Sequence, residues 1–195
     1  MGFLLVEDDQ SDLSKLKAVL EPIEPVVTCA RSDDGRALLS NRASWTAAFI
    51  AVSAPHSPRM SLAQDLRANH PEVAVMVLAR RSSRMIANRA LEIGAAYAVK
   101  PIGPRRIQAF TSRATLAGKV ERTVLRWKVR YLLTDAEVDV LRKASLGLDR
   151  GAIAVARACS EQTVKKHAAN LLRQVVVADS LHDAVSRVLR EAALT

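Results

Sequence analysis

The chain has 195 residues, 49% of them hydrophobic and 25% charged, and carries a formal net charge of +9. This composition excludes a disordered chain, and no apolar run approaches the roughly 18 residues a membrane span requires. Cys29 and Cys159 lie far apart with no metal-ligand spacing around them, which implies reduced thiols and no disulfide framework.

The opening stretch MGFLLVEDD turns acidic after six residues, unlike a signal or transit peptide. Val6 stands where a myristoylation signal carries Ser or Thr. A cytoplasmic protein with no membrane partner is therefore expected. Residues 1–115 hold 15 basic and 11 acidic side chains, and the shorter remainder holds 14 and 9. The higher positive density lies C-terminally and points to a polyanionic partner there.

In chain order, FLLV (Phe3–Val6) is a continuous apolar run and predicts a strand. Ser11 to Leu20 places Leu13, Leu16 and Leu20 at helical spacing, and Pro22 closes that helix. PVVTCA (Pro25–Ala30) predicts a second strand, and Ser32 a cap for a short helix through Leu39. AAFIAV (Ala47–Val52) predicts the third strand. Ser61 with Gln64 reads as a capping box for a helix to about Ala68. VAVMVL (Val73–Leu78) predicts the fourth strand, followed by a helix from Ser83 to Ile93 that stops at Gly94. AYAV (Ala96–Val99) predicts the fifth strand, and Pro104 opens a fifth helix.

Five apolar strands alternating with helices imply a parallel α/β sheet covered on both faces. Such sheets carry their sites at the carboxyl ends of the strands. Those ends hold Glu7-Asp8-Asp9, Ala51-Val52-Ser53, Ala79-Arg80 and Lys100-Pro101.

Thr111 to Leu132 is a basic helical stretch in which Leu116, Val120, Val124, Trp127 and Tyr131 form one apolar stripe. The stripe fits an interdomain connector, a dimer seam or a packing face within its own domain. The rest reads as short helices. Thr134 with Glu137 forms a capping box, Gly147 stops that helix, and Asp149 caps the next. Ser160 caps a third helix, to about Val175, and Asp179 or Ser180 a last one. Two short helices joined by ACS, the second carrying Lys165, Lys166 and Arg173, match a helix-turn-helix pattern.

The spacing of Leu133, Thr134, Glu137, Gly147, Leu148, Ile153, Ala154, Ser160, Thr163, Val164, Lys165, His167 and Val177 resembles the four-helix DNA-binding domain of the LuxR/NarL/FixJ regulators. The resemblance implies double-stranded DNA as partner and Thr163, Lys165, Lys166 and Asn170 as DNA-binding residues. Arg157 departs from the family by standing at an apolar core position, and Ala169 where many members present a polar contact.

Residues 1–115 resemble a response-regulator receiver domain through Glu7 and Asp8, Pro55 after the third strand, Tyr97 on the fifth strand and Lys100-Pro101. In that family acidic residues hold magnesium, and an Asp ending the third strand accepts a phosphoryl group. A Ser or Thr on the fourth strand contacts it, and the Lys pairs with it. Counting back four residues from Pro55 puts Ala51 at the acceptor position, and the hydroxyl position falls at Ala79. A methyl group can neither attack phosphorus nor bind a metal. The remnant pocket is Glu7, Asp8, Ala51, Ala79, Tyr97 and Lys100, with a direct Lys100–Asp8 ion pair expected in place of the metal.

The expected architecture is α/β plus all-α. A flavodoxin-like (βα)5 receiver-like domain (1–115) is followed by a linker helix (116–131) and a four-helix helix-turn-helix domain (132–195). The expected function is a phosphorylation-independent, homodimeric transcription regulator, controlled by constitutive dimerisation, by a small molecule or protein acting on the receiver-like face, or by abundance alone. A second reading is a protein-interaction module that modulates another regulator and binds DNA weakly or not at all. No nucleophile–base pair, metal cluster or phosphate loop appears, so no enzyme, metal or cofactor is expected.

Overall fold

A computed structural model describes residues 2–41 and 45–194. The chain divides into two compact units, Met1–Thr115 and Leu116–Thr195.

In the first unit β1 (Phe3–Val6), β2 (Val26–Cys29), β3 (Ala47–Val52), β4 (Ala74–Ala79) and β5 (Ala96–Val99) form a parallel sheet in the order β2-β1-β3-β4-β5. The helices α1 (Gln10–Leu20), α2 (Ser32–Asn41), α3 (Pro58–Asn69), α4 (Arg84–Glu92) and α5 (Pro104–Tyr131) alternate with the strands. This is the flavodoxin-like doubly wound arrangement expected from the strand–helix alternation.

Side chains alternate across the sheet because strand residues point to opposite faces with a period of two. Phe3, Leu5, Phe49, Met76 and Leu78 pack with Leu16 and Leu20 of α1 and Ile107 of α5. Leu4, Val6, Ile50, Val75 and Val77 pack on the other face with Met60 and Leu66 of α3 and Ile86 of α4. Phe49 stands edge-on to both Phe3 and Phe110, at centroid distances of 6.0 and 5.4 Å. Burial of each such side chain contributes about 1.5–3 kcal/mol, and it ties α5 to the floor of the sheet.

One helix start differs from the sequence reading in a way that matters for the site. α3 begins at Pro58, not beyond Ser61, because Ser57 is its N-cap and accepts a hydrogen bond from the Met60 N–H. A Pro in the first helical turn is compatible with that start, since its missing N–H has no partner to lose. Arg59 thereby falls in the first turn, above the carboxyl ends of the strands. α2 likewise starts at Ser32 itself and runs past Leu39.

In the second unit the C-terminal part of α5 packs with α6 (Asp135–Ser145), α7 (Arg150–Ala156), α8 (Glu161–Gln174) and α9 (Leu181–Ala193). Val120, Val124 and Trp127 of α5 are buried among Val138, Leu141, Leu171, Val188 and Ala192. Trp127 also donates its ring N–H to Glu191 Oε2 at 3.0 Å. The apolar stripe of this helix is therefore consumed at its centre by the core of its own unit. Leu116, at one end, stays half exposed. Thr134 and Glu137 form the expected capping box of α6. Asp149, Ser160 and Ser180 cap α7, α8 and α9.

Candidate functional site

The carboxyl ends of the strands bring Glu7, Asp8, Ala51, Ala79 and Lys100 around one cleft. Glu7 is almost fully buried. Its Oε1 accepts the N–H groups of Asp8 and Asp9 at 3.1 and 3.0 Å, which fixes the turn after β1. Its Oε2 accepts from Lys100 Nζ at 2.6 Å, and the same ammonium lies 2.6 Å from Asp12 Oδ2. Burial alone pulls the Lys100 ammonium down, but hydrogen bonds to Asp12 and Glu7 outweigh it and hold its pKa above the ordinary value.

The expected Lys100–Asp8 pair is not formed. Asp8 instead accepts from Arg59 Nη1 at 3.0 Å. The same nitrogen donates to the Ala51 carbonyl at 3.3 Å, and Arg59 Nη2 to the Ala30 carbonyl at 2.7 Å. One guanidinium thus bridges the ends of β1, β2 and β3, and its bond to Asp8 holds that carboxyl below its usual range. Asp9 accepts from Arg80 Nη2 at 2.7 Å and caps α1 through the Ser11 and Asp12 N–H groups. With Asp8 held by Arg59, Lys100 is shared between Glu7 and Asp12, a helix residue that strand-end reasoning did not reach.

Ala51 and Ala79 are 5% and 1% exposed and present only methyl groups. The donor set does not fit magnesium. The carboxylates a hard cation would need are engaged by Arg59, Lys100 and Arg80, and β3 supplies none. Tyr97 is half buried, and its hydroxyl accepts the Ser83 N–H at 3.0 Å, which ties β5 to the start of α4.

The second candidate surface is α8. Ser160 accepts the Thr163 N–H at 3.1 Å, and the Ser160 and Thr163 hydroxyls are 2.9 Å apart. Thr163 is half buried and serves the cap. Val164 and Leu171 face the core, so Gln162, Lys165, Lys166, Ala169 and Arg173 share the exposed face. No carboxylate pairs with Lys165 or Lys166 among the described residues. Asn170 is half buried, and its Oδ1 lies 3.5 Å from Arg173 Nη1. Gln162 is the residue on this face that the motif reading passed over; the helical period alone places it there.

Arg157 is tolerated at its core position because it is held. Its Nη1 donates to Asp139 Oδ2 at 2.7 Å and to the Ala136 carbonyl at 3.0 Å, fastening the end of α7 to α6.

The chain thus combines a parallel α/β unit with a compact helical unit whose α8 carries an exposed cationic face. Residues 131–187 match the family model described as bacterial regulatory proteins, luxR family. The whole chain is similar in fold to full-length FixJ from B. japonicum, at 20% identity and a TM-score of 0.51, covering 100% of this chain and 98% of that one. It is likewise similar to the response regulator StyR, at 18% identity and a TM-score of 0.55, covering 100% and 98%. A receiver domain protein from Methanospirillum hungatei JF-1 matches 57% of this chain and 94% of its own, at 24% identity and a TM-score of 0.51. No curated protein matches the chain in sequence. The chain shares the two-unit fold of these solved proteins. Among the described residues no helix is long and apolar enough to cross a membrane.

Proposed function

We propose that this protein is a sequence-specific, DNA-binding transcription regulator of the cytoplasm whose receiver-like unit works without phosphorylation. The observation that carries the reading is the pairing of two sites. α8 offers Lys165 and Lys166 unpaired on an exposed face, while the cluster that would handle phosphate is closed by the chain's own cations.

The DNA side rests on geometry and charge. The start of a capped helix directs free N–H groups and a positive dipole end outward, which suits contact with phosphate. Lysines on its first turns reach phosphates and base edges, and Gln162 adds an amide able to read an adenine edge. Thr163 serves by fixing the helix start, and Asn170 and Arg173 extend the same face. Binding as a homodimer would double these contacts on a two-fold site.

The receiver side rests on missing chemistry. With a methyl group at Ala51 there is no oxyanion to attack a phosphodonor. With Arg59 on Asp8 there is no open cation site to assist.

Selection of bound duplexes from a random pool tests the reading. A shared sequence recovered by the wild-type chain and lost with Lys165→Ala/Lys166→Ala supports it. Recovery of no shared sequence overturns it in favour of a protein-interaction module.

A further inference from the structure

The carboxylates at the end of the sheet are neutralised by Lys100, Arg59 and Arg80. Beside these pairs, over β3 and β4, lies a cleft of about 900 Å³. That is within the range of small-molecule sites, roughly 300–1,000 Å³. Val52, Leu78, Ala79 and Ile86 form an apolar floor and are themselves buried. The walls carry five cationic side chains against three carboxylates, Glu7, Asp8 and Asp33. Arg81 has no carboxylate partner among the described residues, and Arg31 meets Asp33 only at 3.8 Å. The hydroxyls of Ser53 and Ser82 lie on the same rim, and α3 and α4 both begin there, behind Ser57 and Ser83.

We propose that this cleft binds a phosphate-bearing small molecule non-covalently. Arg31 and Arg81 hold the phosphate, and the apolar floor holds the remainder of the ligand. The inference deepens the phosphorylation-independent reading above and rests on it: a free ligand biases the unit where a covalent phosphoryl group cannot form. The chemistry selects an anion. A cation would have to displace three internal cations from their carboxylates, whereas an anion meets guanidinium groups whose planar forks match phosphate oxygens in pairs. The small side chains at Ala51 and Ala79 leave the volume that larger strand-end residues would fill.

The test is titration calorimetry on the full chain with inorganic pyrophosphate and with ADP. Saturable binding is expected for both, tighter for ADP because of the floor. Arg81→Ala and Arg31→Ala should each weaken it about tenfold or more, as loss of a charged hydrogen-bonding group does. Both side chains are exposed, so the thermal melt should not move. Lys15→Ala, on the exposed side of α1 and outside the cleft lining, should leave binding unchanged. Absence of saturable binding at millimolar concentrations of either probe overturns the proposal, as does binding that Arg81→Ala and Arg31→Ala leave unchanged. Acetyl phosphate treatment of the same preparation separates the two readings. Covalent incorporation sinks the phosphorylation-independent reading, while failure of the titration without incorporation sinks the ligand site alone.

Discussion

Arg59 Nη1 lies 3.0 Å from Asp8 Oδ1, so a guanidinium from the first turn of α3 sits where the acidic end of β1 faces the sheet's cleft. Its further bonds to the Ala51 and Ala30 carbonyls make it a strap across three strand ends. An Arg so placed supplies Asp8 with a counter-charge that a bound cation would otherwise bring.

Restoring a carboxylate by Ala51→Asp alone should therefore give little magnesium affinity, because Arg59 is at hand to pair with the new group. Ala51→Asp combined with Arg59→Ala should bind magnesium, since Asp8 and the introduced carboxylate are then both open. Melting curves with and without the metal report this as a magnesium-dependent rise in Tm for the double variant only.

Lys100 and Glu7 form a buried pair, with side chains 7% and 1% exposed. Lys100→Met should cost about 3 kcal/mol, because it strands a buried carboxylate. Lys100→Met with Glu7→Gln should recover much of that loss, as chemical denaturation of the single and double variants will show. The pKa of Lys100 is raised above the ordinary 10.5. Its contribution is therefore complete below that value and lost as pH rises through the raised one. Alkaline pH should lower the wild-type Tm more steeply than that of Lys100→Met.

On α8, Lys165→Ala and Lys166→Ala should each weaken DNA binding across all sequences and reduce the magnitude of the salt slope by about 0.9. Gln162→Ala should leave the slope unchanged and relax preference at one base position. Fluorescence anisotropy titrations at several salt concentrations distinguish the two behaviours.

Ala158, in the turn between α7 and α8, has φ of 48°. An L side chain there carries strain that glycine avoids. Ala158→Gly should stabilise the chain by up to about 1 kcal/mol, the gain being offset in part by the freer unfolded state. A higher midpoint in denaturant measures it.

Much of this arrangement was legible beforehand. The apolar strand runs and helix punctuation gave the sheet, and the capping residues Thr134, Asp149 and Ser160 gave the helical unit. What escaped was the wiring of the cleft. The pair Ser61–Gln64 imitates a capping box, which hid the true cap at Ser57 and so the position of Arg59. Asp12 escaped because it lies on a helix, one turn beyond the strand end that motif reasoning surveys. Which carboxylate Lys100 chooses depends on what else holds Asp8, and that is a long-range fact: Arg59 lies 51 residues away in sequence. Arg157 looked misplaced for the same reason, since its partner Asp139 belongs to another helix.

The central claim is DNA binding that does not wait for phosphate. It is tested most directly by the affinity of the full chain for its selected DNA site, measured before and after treatment with acetyl phosphate and magnesium. The account predicts the same affinity in both conditions and no gain in protein mass. A phosphodonor-dependent change in affinity, accompanied by one added phosphoryl group, would contradict it.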